Sequence, residues 1–299
     1  MKRKVIQLAE STFVVSLPTS WVKQWGVKKG EELDLVENGP RLSISTTSPR
    51  ELKKGTVDAS TANERTLRWL LSSLHKKGYD EIEITTGSFE HTKIIDELLK
   101  NLFIGFTIVH QTDRSCIIRT VSKELDDQFD VILRRAFLVT LGLADQTLAL
   151  TKQGKYHELP ALLELEKTNN QLTNFCERML NKRGHPEPSK TTFLYVVIWN
   201  LEKIADDYKY ILETLSKNKK INKKTIDLFA HVNDLLRNYY ELFYRFDLSK
   251  LNTLATQYKD VQKKIEDALL GDDTVVLSHL SHIVMKTADF SASTFALND

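Results

Sequence analysis

The stretch Asn200-Leu201-Glu202-Lys203-Ile204-Ala205-Asp206-Asp207-Tyr208-Lys209 gathers acids in a spacing that could do chemistry. Glu202 and Asp206 are four residues apart, which puts their carboxylates one turn apart on one helical face, with Asp207 beside them. Leu201, Ile204 and Tyr208 flank that face, so it lies near apolar packing. Carboxylates held this close repel, and water, a cation or a base must offset them; Lys203 and Lys209 are the nearest bases. Facing helices that carry such acids are how helical bundles build metal sites, and a solvated acidic face is the plainer alternative. His279 and His282 are three apart on another helical stretch and also suit a metal. No matching acid or cysteine adjoins them in sequence, so the pair is not read as a site. No nucleophile–base pair and no complete ligand set stands out, which argues against an enzyme.

A second feature opens the chain. Residues 1–29 carry Lys2, Arg3, Lys4, Lys23, Lys28 and Lys29 against Glu10 alone, and acids return with Glu31, Glu32, Asp34 and Glu37. A basic end of this kind suits phosphate groups, whereas the overall balance of 42 basic to 40 acidic residues says little about partners. The elements that must position these charges are small. Phe13, Val15 and Leu17 alternate as a strand does, and Pro18 ends the ladder. Thr19 and Ser20 are placed to cap a short helix that Gly26 closes. Trp21 and Trp25 share one face of it and read as packing residues rather than as base-stacking ones. Lys29-Gly30 and Asn38-Gly39-Pro40 are turns on either side of a strand with Leu33 and Leu35, and Leu42 and Ile44 follow. A unit of about 45 residues without disulfide or metal is near the lower limit for folding alone. A second copy is therefore expected to cover its strands.

Residues 46–61 are rich in proline, glycine and hydroxyls and read as a linker. Residues 55–121 read as a small α/β connector with helices over 62–77 and 89–103, a strand at Ile82 and Ile84, and strands at FTIVHQ and CIIRTV. It has no glycine-rich phosphate loop. From Lys123 onward strand signals vanish. Helices are expected over 125–153, 157–182, 189–216, 222–245, 247–270 and 273–297. Breaks fall at Gly154, Gly184-His185-Pro186, the lysine-rich 217–224, Asp247 and Gly271. Long apolar stripes joined by short turns pack antiparallel. The turn with Lys217, Lys219, Lys220, Lys223 and Lys224, read as solvated, splits the six helices into two three-helix bundles, 123–216 and 222–299. The fold class is α+β, mainly α. Cys116 and Cys176 lack a CxxC partner and read as reduced thiols, and no apolar run is long enough for a membrane span. Both point to a cytoplasmic protein.

Ser11, the run Val14-Val15-Ser16-Leu17-Pro18, the short helix ending at Gly26, and Val27-Lys28-Lys29-Gly30-Glu31-Glu32-Leu33 occur in a fixed order. With these features residues 1–46 resemble the AbrB/SpoVT swapped-hairpin DNA-binding domain, Glu31 standing where that family has Asp. The resemblance implies a dimer made by exchanged hairpins.

Leu201-Glu202-Lys203-Ile204-Ala205-Asp206-Asp207 is similar to the Leu-Glu-Arg-Ile-Ala/Gly-Asp-His helix of PhoU, with Lys203 for Arg and Asp207 for His. Residues 123–299 resemble that phosphate-signalling fold of two three-helix bundles. Some members hold iron or zinc on these acids and on an acidic pair in the preceding helix, which here becomes Glu166 and Asn170. The resemblance implies at most one weakly held divalent, iron or zinc ion, in the first bundle, on Glu202 and Asp206 with Glu166 or Asp207. In the second bundle Met285 stands in place of a Glu and Lys264 follows Asp260, so no ion is expected there.

This order of parts resembles the archaeal PhoU-type phosphate uptake regulators. It implies a homodimeric DNA-binding regulator of phosphate uptake whose helical part senses or relays phosphate status, with phosphate-transport or phosphate-signalling proteins as further partners. DNA phosphate contacts are expected from Arg3, Lys4 and Lys23, with Lys2 and Lys28 in support. The alternative is a PhoU-type scaffold that regulates a phosphate transporter through protein contacts without binding DNA. Neither reading involves membrane insertion.

Overall fold

The computed structural model describes residues 2–46, 52–121, 128–217, 220–271 and 273–298, mostly helical with a small β region at the N-terminus. The chain divides into two compact units, Met1–Lys53 and Lys54–Asp299.

In the first unit β1 (Val5–Ala9) pairs antiparallel with β2 (Thr12–Val15), α1 (Thr19–Gln24) follows, and β3 (Leu33–Asn38) pairs antiparallel with β4 (Arg41–Thr46). The two hairpins are separate two-stranded sheets. Strand β1 was not expected from the sequence pattern. Helix α1 opens on Pro18 with no side-chain cap, so Thr19 and Ser20 lie inside its first turn instead of capping it. It closes as a Schellman motif: Gly26 takes φ 63°, its N–H donates to Lys23 O at 3.4 Å, and the Val27 N–H donates to Val22 O at 3.0 Å. The Glu31 carboxylate ties the next turn, accepting from the Lys28 N–H at 2.8 Å and the Thr46 hydroxyl at 3.0 Å. Register places Leu33, Leu35, Leu42 and Ile44 on one face of the second hairpin, and Val5, Phe13 and Val15 together on the first. Among the described side chains of this unit none is buried.

The second unit begins with a four-stranded sheet in the order β5 (Lys54–Asp58), β6 (Glu81–Thr85), β8 (Ser115–Thr120), β7 (Phe106–Gln111). β5 runs parallel to β6 and the other pairs are antiparallel. Strand β5 corrects the reading of 46–61 as linker, of which residues 47–51 lie outside the described residues. Its glycine looked like a breaker, but a Cβ at Gly55 would come within 2.7 Å of the Tyr79 ring, so the residue serves a close approach within a strand. Helices α2 (Glu64–Lys76) and α3 (Phe89–Asn101) supply Leu67, Leu71, Ile95 and Leu98 to a core with Ile82, Ile84, Cys116 and Ile118.

Six long helices follow: α4 (Phe129–Lys152), α5 (Leu163–Arg183), α6 (Lys190–Ser216), α7 (Lys223–Tyr244), α8 (Leu248–Glu266) and α9 (Thr274–Asn298). Tyr156–Leu162, expected to start α5, is a 3-10 turn that contains Pro160, whose nitrogen has no hydrogen to donate. α8 ends at Glu266, short of the expected 270. Residues 125–127 of the expected first helix and Lys219 lie outside the described residues. The side chains of Asn222 and Asp247 cap α7 and α8, and Gly184 closes α5 at φ 72°. Helices α4, α5 and α6 pack on one another, as do α7, α8 and α9; α6 on α9 and α4 on α7 join the two sets. All six share one contiguous apolar core.

The α/β part is fastened to α5. Arg178, buried, donates to His75 O at 2.9 Å, Tyr79 O at 2.7 Å and Asp80 Oδ1 at 2.6 Å. Lys182 donates to the same Oδ1 at 2.6 Å. Gly78, at φ 81°, both ends α2 and lets its backbone approach Lys182, which a Cβ would meet at 3.0 Å.

Candidate functional site

The acids of α6 divide between two faces, because neighbouring positions on a helix point about 100° apart. Glu202 and Asp206 face α5. There Lys203 Nζ lies 2.7 Å from Glu202 Oε2 and 3.2 Å from Asp206 Oδ2. Lys209 Nζ bridges Asp206 Oδ1 at 2.5 Å and Glu166 Oε1 at 2.7 Å. The Asn170 amide donates to that same Glu166 oxygen at 2.9 Å. Two ammonium groups thus lie between the carboxylates. Their acids hold the Lys209 ammonium well above its ordinary pKa, and Lys203 above its own, although burial opposes both shifts. The ladder continues to buried Glu177, paired with Lys76 at 2.5 Å; burial raises its pKa and Lys76 offsets part of that rise.

Asp207 is not part of that face, which corrects its grouping with Glu202, Asp206 and Glu166. It points at α9. His279 Nδ1 lies 2.8 Å and His282 Nδ1 3.3 Å from Asp207 Oδ1, and Lys286 Nζ lies 2.6 Å from Oδ2. Burial pushes the Asp207 carboxyl up, but His279 and Lys286 outweigh burial and hold it below the usual carboxylate value. Tyr210 stacks on the His279 ring with centroids 5.2 Å apart. Among the described residues, Asp207, His279 and His282 alone bring three metal-ligand atoms of His, Cys, Asp or Glu within 4.8 Å of one another. Sequence reasoning set the histidines aside because no acid adjoined them; their acid lies 72 residues away. The available signal was an i, i+3 histidine pair together with one aspartate out of step with the Glu202–Asp206 face.

Lys2, Arg3, Lys4, Lys23 and Lys28 are all exposed in the first unit. Trp21 and Trp25 are half-buried beside them on α1. Cys116 and Cys176 are free and buried, and burial pushes the Cys116 thiol up to about 11. No helix among the described residues is long and apolar enough to cross a membrane. Comparison with protein-family models, with curated proteins and with solved structures finds no match to this chain.

Proposed function

We propose that the chain is a homodimeric DNA-binding regulator, with the first unit gripping DNA phosphates and the helical unit relaying phosphate status. The observation that carries the reading is the state of the two hairpins. Each presents an apolar face, none of their described side chains is buried, and Lys2, Arg3, Lys4, Lys23 and Lys28 stand exposed on the same unit. Isolated two-stranded sheets are marginal in water, so a second copy that pairs with them would supply both cover and a doubled basic surface. The resemblance of residues 1–46 to the AbrB/SpoVT domain and of 123–299 to PhoU supports the same arrangement, and the link to phosphate uptake rests on the second resemblance.

The test uses the full chain and duplex DNA from upstream of phosphate-transport genes, titrated across salt concentrations. Arg3→Ala with Lys4→Ala should weaken binding to all sequences and flatten the logarithmic salt slope by about two per protomer. Unchanged affinity and slope would remove these residues from the DNA face. A dimer with no DNA affinity at low salt would favour the scaffold that acts through protein contacts.

A further inference from the structure

We propose that Asp207, His279 and His282 bind one borderline divalent transition-metal ion, such as Zn²⁺, which joins α6 to α9. The donor chemistry is two imidazoles and one carboxylate, a set that suits zinc, cobalt, nickel or copper better than magnesium or calcium, which favour oxygen ligands. The geometry is close to what such an ion needs. The two histidine nitrogens lie 2.8 and 3.3 Å from Asp207 Oδ1. Ligand atoms on a tetrahedral ion with bonds of about 2.1 Å sit about 3.4 Å apart, and the three donors here lie within 4.8 Å of one another, so binding calls for side-chain shifts of about an ångström.

The surroundings aim the donors. His279 and His282 occupy one face of α9, one turn apart. Lys286 holds Asp207 Oδ2, leaving Oδ1 as the oxygen turned toward the histidines. Tyr210 stacks on His279 and fixes its ring plane, the kind of support that orients metal ligands. Asp207 is 6% exposed in its side chain, His279 20% and His282 53%, so the cluster has a solid floor and an open side through which an ion enters and water completes its coordination. Lys286 also offsets the charge of the one carboxylate, so the two imidazoles supply most of the attraction for the ion. That balance selects for affinity to imidazole and against hard cations. The site differs in position and in ligands from the Glu166–Glu202–Asp206 face, where lysines lie between the acids.

The experiment takes the untagged full chain after chelator treatment and adds Zn²⁺ or Co²⁺ alone. One Zn²⁺ per chain should bind, and melting should rise by about 5 °C at a hundredfold excess over the dissociation constant. Co²⁺ should give visible absorption bands of four- or five-coordinate intensity. His282→Ala should weaken both effects, and His279→Ala with His282→Ala should abolish them; His282 is exposed enough for its replacement to leave the fold intact, which circular dichroism checks. Asp207→Asn, which keeps the side chain's shape, should weaken Zn²⁺ binding at least tenfold. The proposal is overturned if the wild-type chain takes up neither ion, if binding survives in the double histidine variant, or if Mg²⁺ stabilises as well as Zn²⁺.

Discussion

Val5, Ile6, Leu8, Phe13, Val15, Leu35 and Leu42 in Met1–Lys53 are exposed by between 42% and 69%, whereas Leu67, Ile204, Tyr208 and Tyr239 in Lys54–Asp299 are fully buried. Both units place apolar residues at the right period, two for strands and 3.6 for helices. They differ in what those faces meet. In the second unit each apolar stripe faces another, from α6 against α9 and α4 against α7 down to the sheet under α2 and α3. In the first, the apolar faces of two separate hairpins have no partner of comparable size among the unit's described residues. Correct patterning makes an element; stability needs a second surface to bury it against. The second unit contains its own, and the first should depend on another copy.

The sharpest way to break this contrast is to charge the exposed faces. Phe13→Glu with Leu35→Glu should halve the mass seen by light scattering and abolish folding of the first unit, while melting of the second stays put. A monomeric wild type, or a variant whose mass does not fall, would overturn pairing of copies through these faces. Next in size is Arg178→Ala. It takes the Arg178 guanidinium from buried Asp80, which Lys182 still contacts, and one hydrogen bond each from His75 O, which keeps the Gly78 N–H, and Tyr79 O. Removing one partner of such a buried network costs about 3–5 kcal/mol, read as a lower urea midpoint for the second unit. A loss below about 1 kcal/mol would mean that water takes over the role of Arg178.

Acidity should act on the second unit through His75. Burial, then Arg178 and Lys76, hold its pKa well below 6.5, and its ring stacks on Phe103 at 4.4 Å. The folded state keeps the imidazole neutral while the unfolded chain takes a proton below pH 6.5. The contribution is therefore full above that value and falls, as pH drops toward the folded pKa, by at most about 1.4 kcal/mol per pH unit. Glu177 has the opposite sign: its raised pKa favours folding as pH falls toward 4.5. His75→Phe preserves the stack and leaves Glu177 in place, so the difference between variant and wild type isolates His75. Denaturant midpoints should fall less steeply from about pH 7 to pH 5 in the variant; equal slopes would show that His75 takes its proton within the fold.

Long helices were legible because their apolar stripes and stop signals agree: Gly184 and Asp247 mark ends in the sequence and do so in the structure. Strand β5 was not, because Gly55 signals a turn when read alone and only Tyr79, from 24 residues on, shows why it is there. The candidate site was half legible. The acids of α6 and their lysine screens could be read from i, i+3 and i, i+4 spacing. That Asp207 faces α9 depends on how α6 rotates against a helix whose His279 lies 72 residues further on, which no local pattern encodes.

The smallest expected effect concerns the acidic face of α6. Asp206→Asn removes a carboxylate shared by Lys203 and Lys209, but each lysine keeps another acid, Glu202 and Glu166 respectively. The Asp206 side chain is also partly open to water. The cost should therefore stay below about 1 kcal/mol. Lys209→Met should cost more, about 2–3 kcal/mol, because Glu166 is buried and, among the described residues, would keep only the Asn170 amide. The inequality carries the argument: if lysines hold these acids, removing a shared acid is mild and removing the bridging base is not. Equal losses would mean that Lys209 does not bridge in solution. A large loss in Asp206→Asn that vanishes when chelator is added to both proteins would show a cation sharing the face with the lysines.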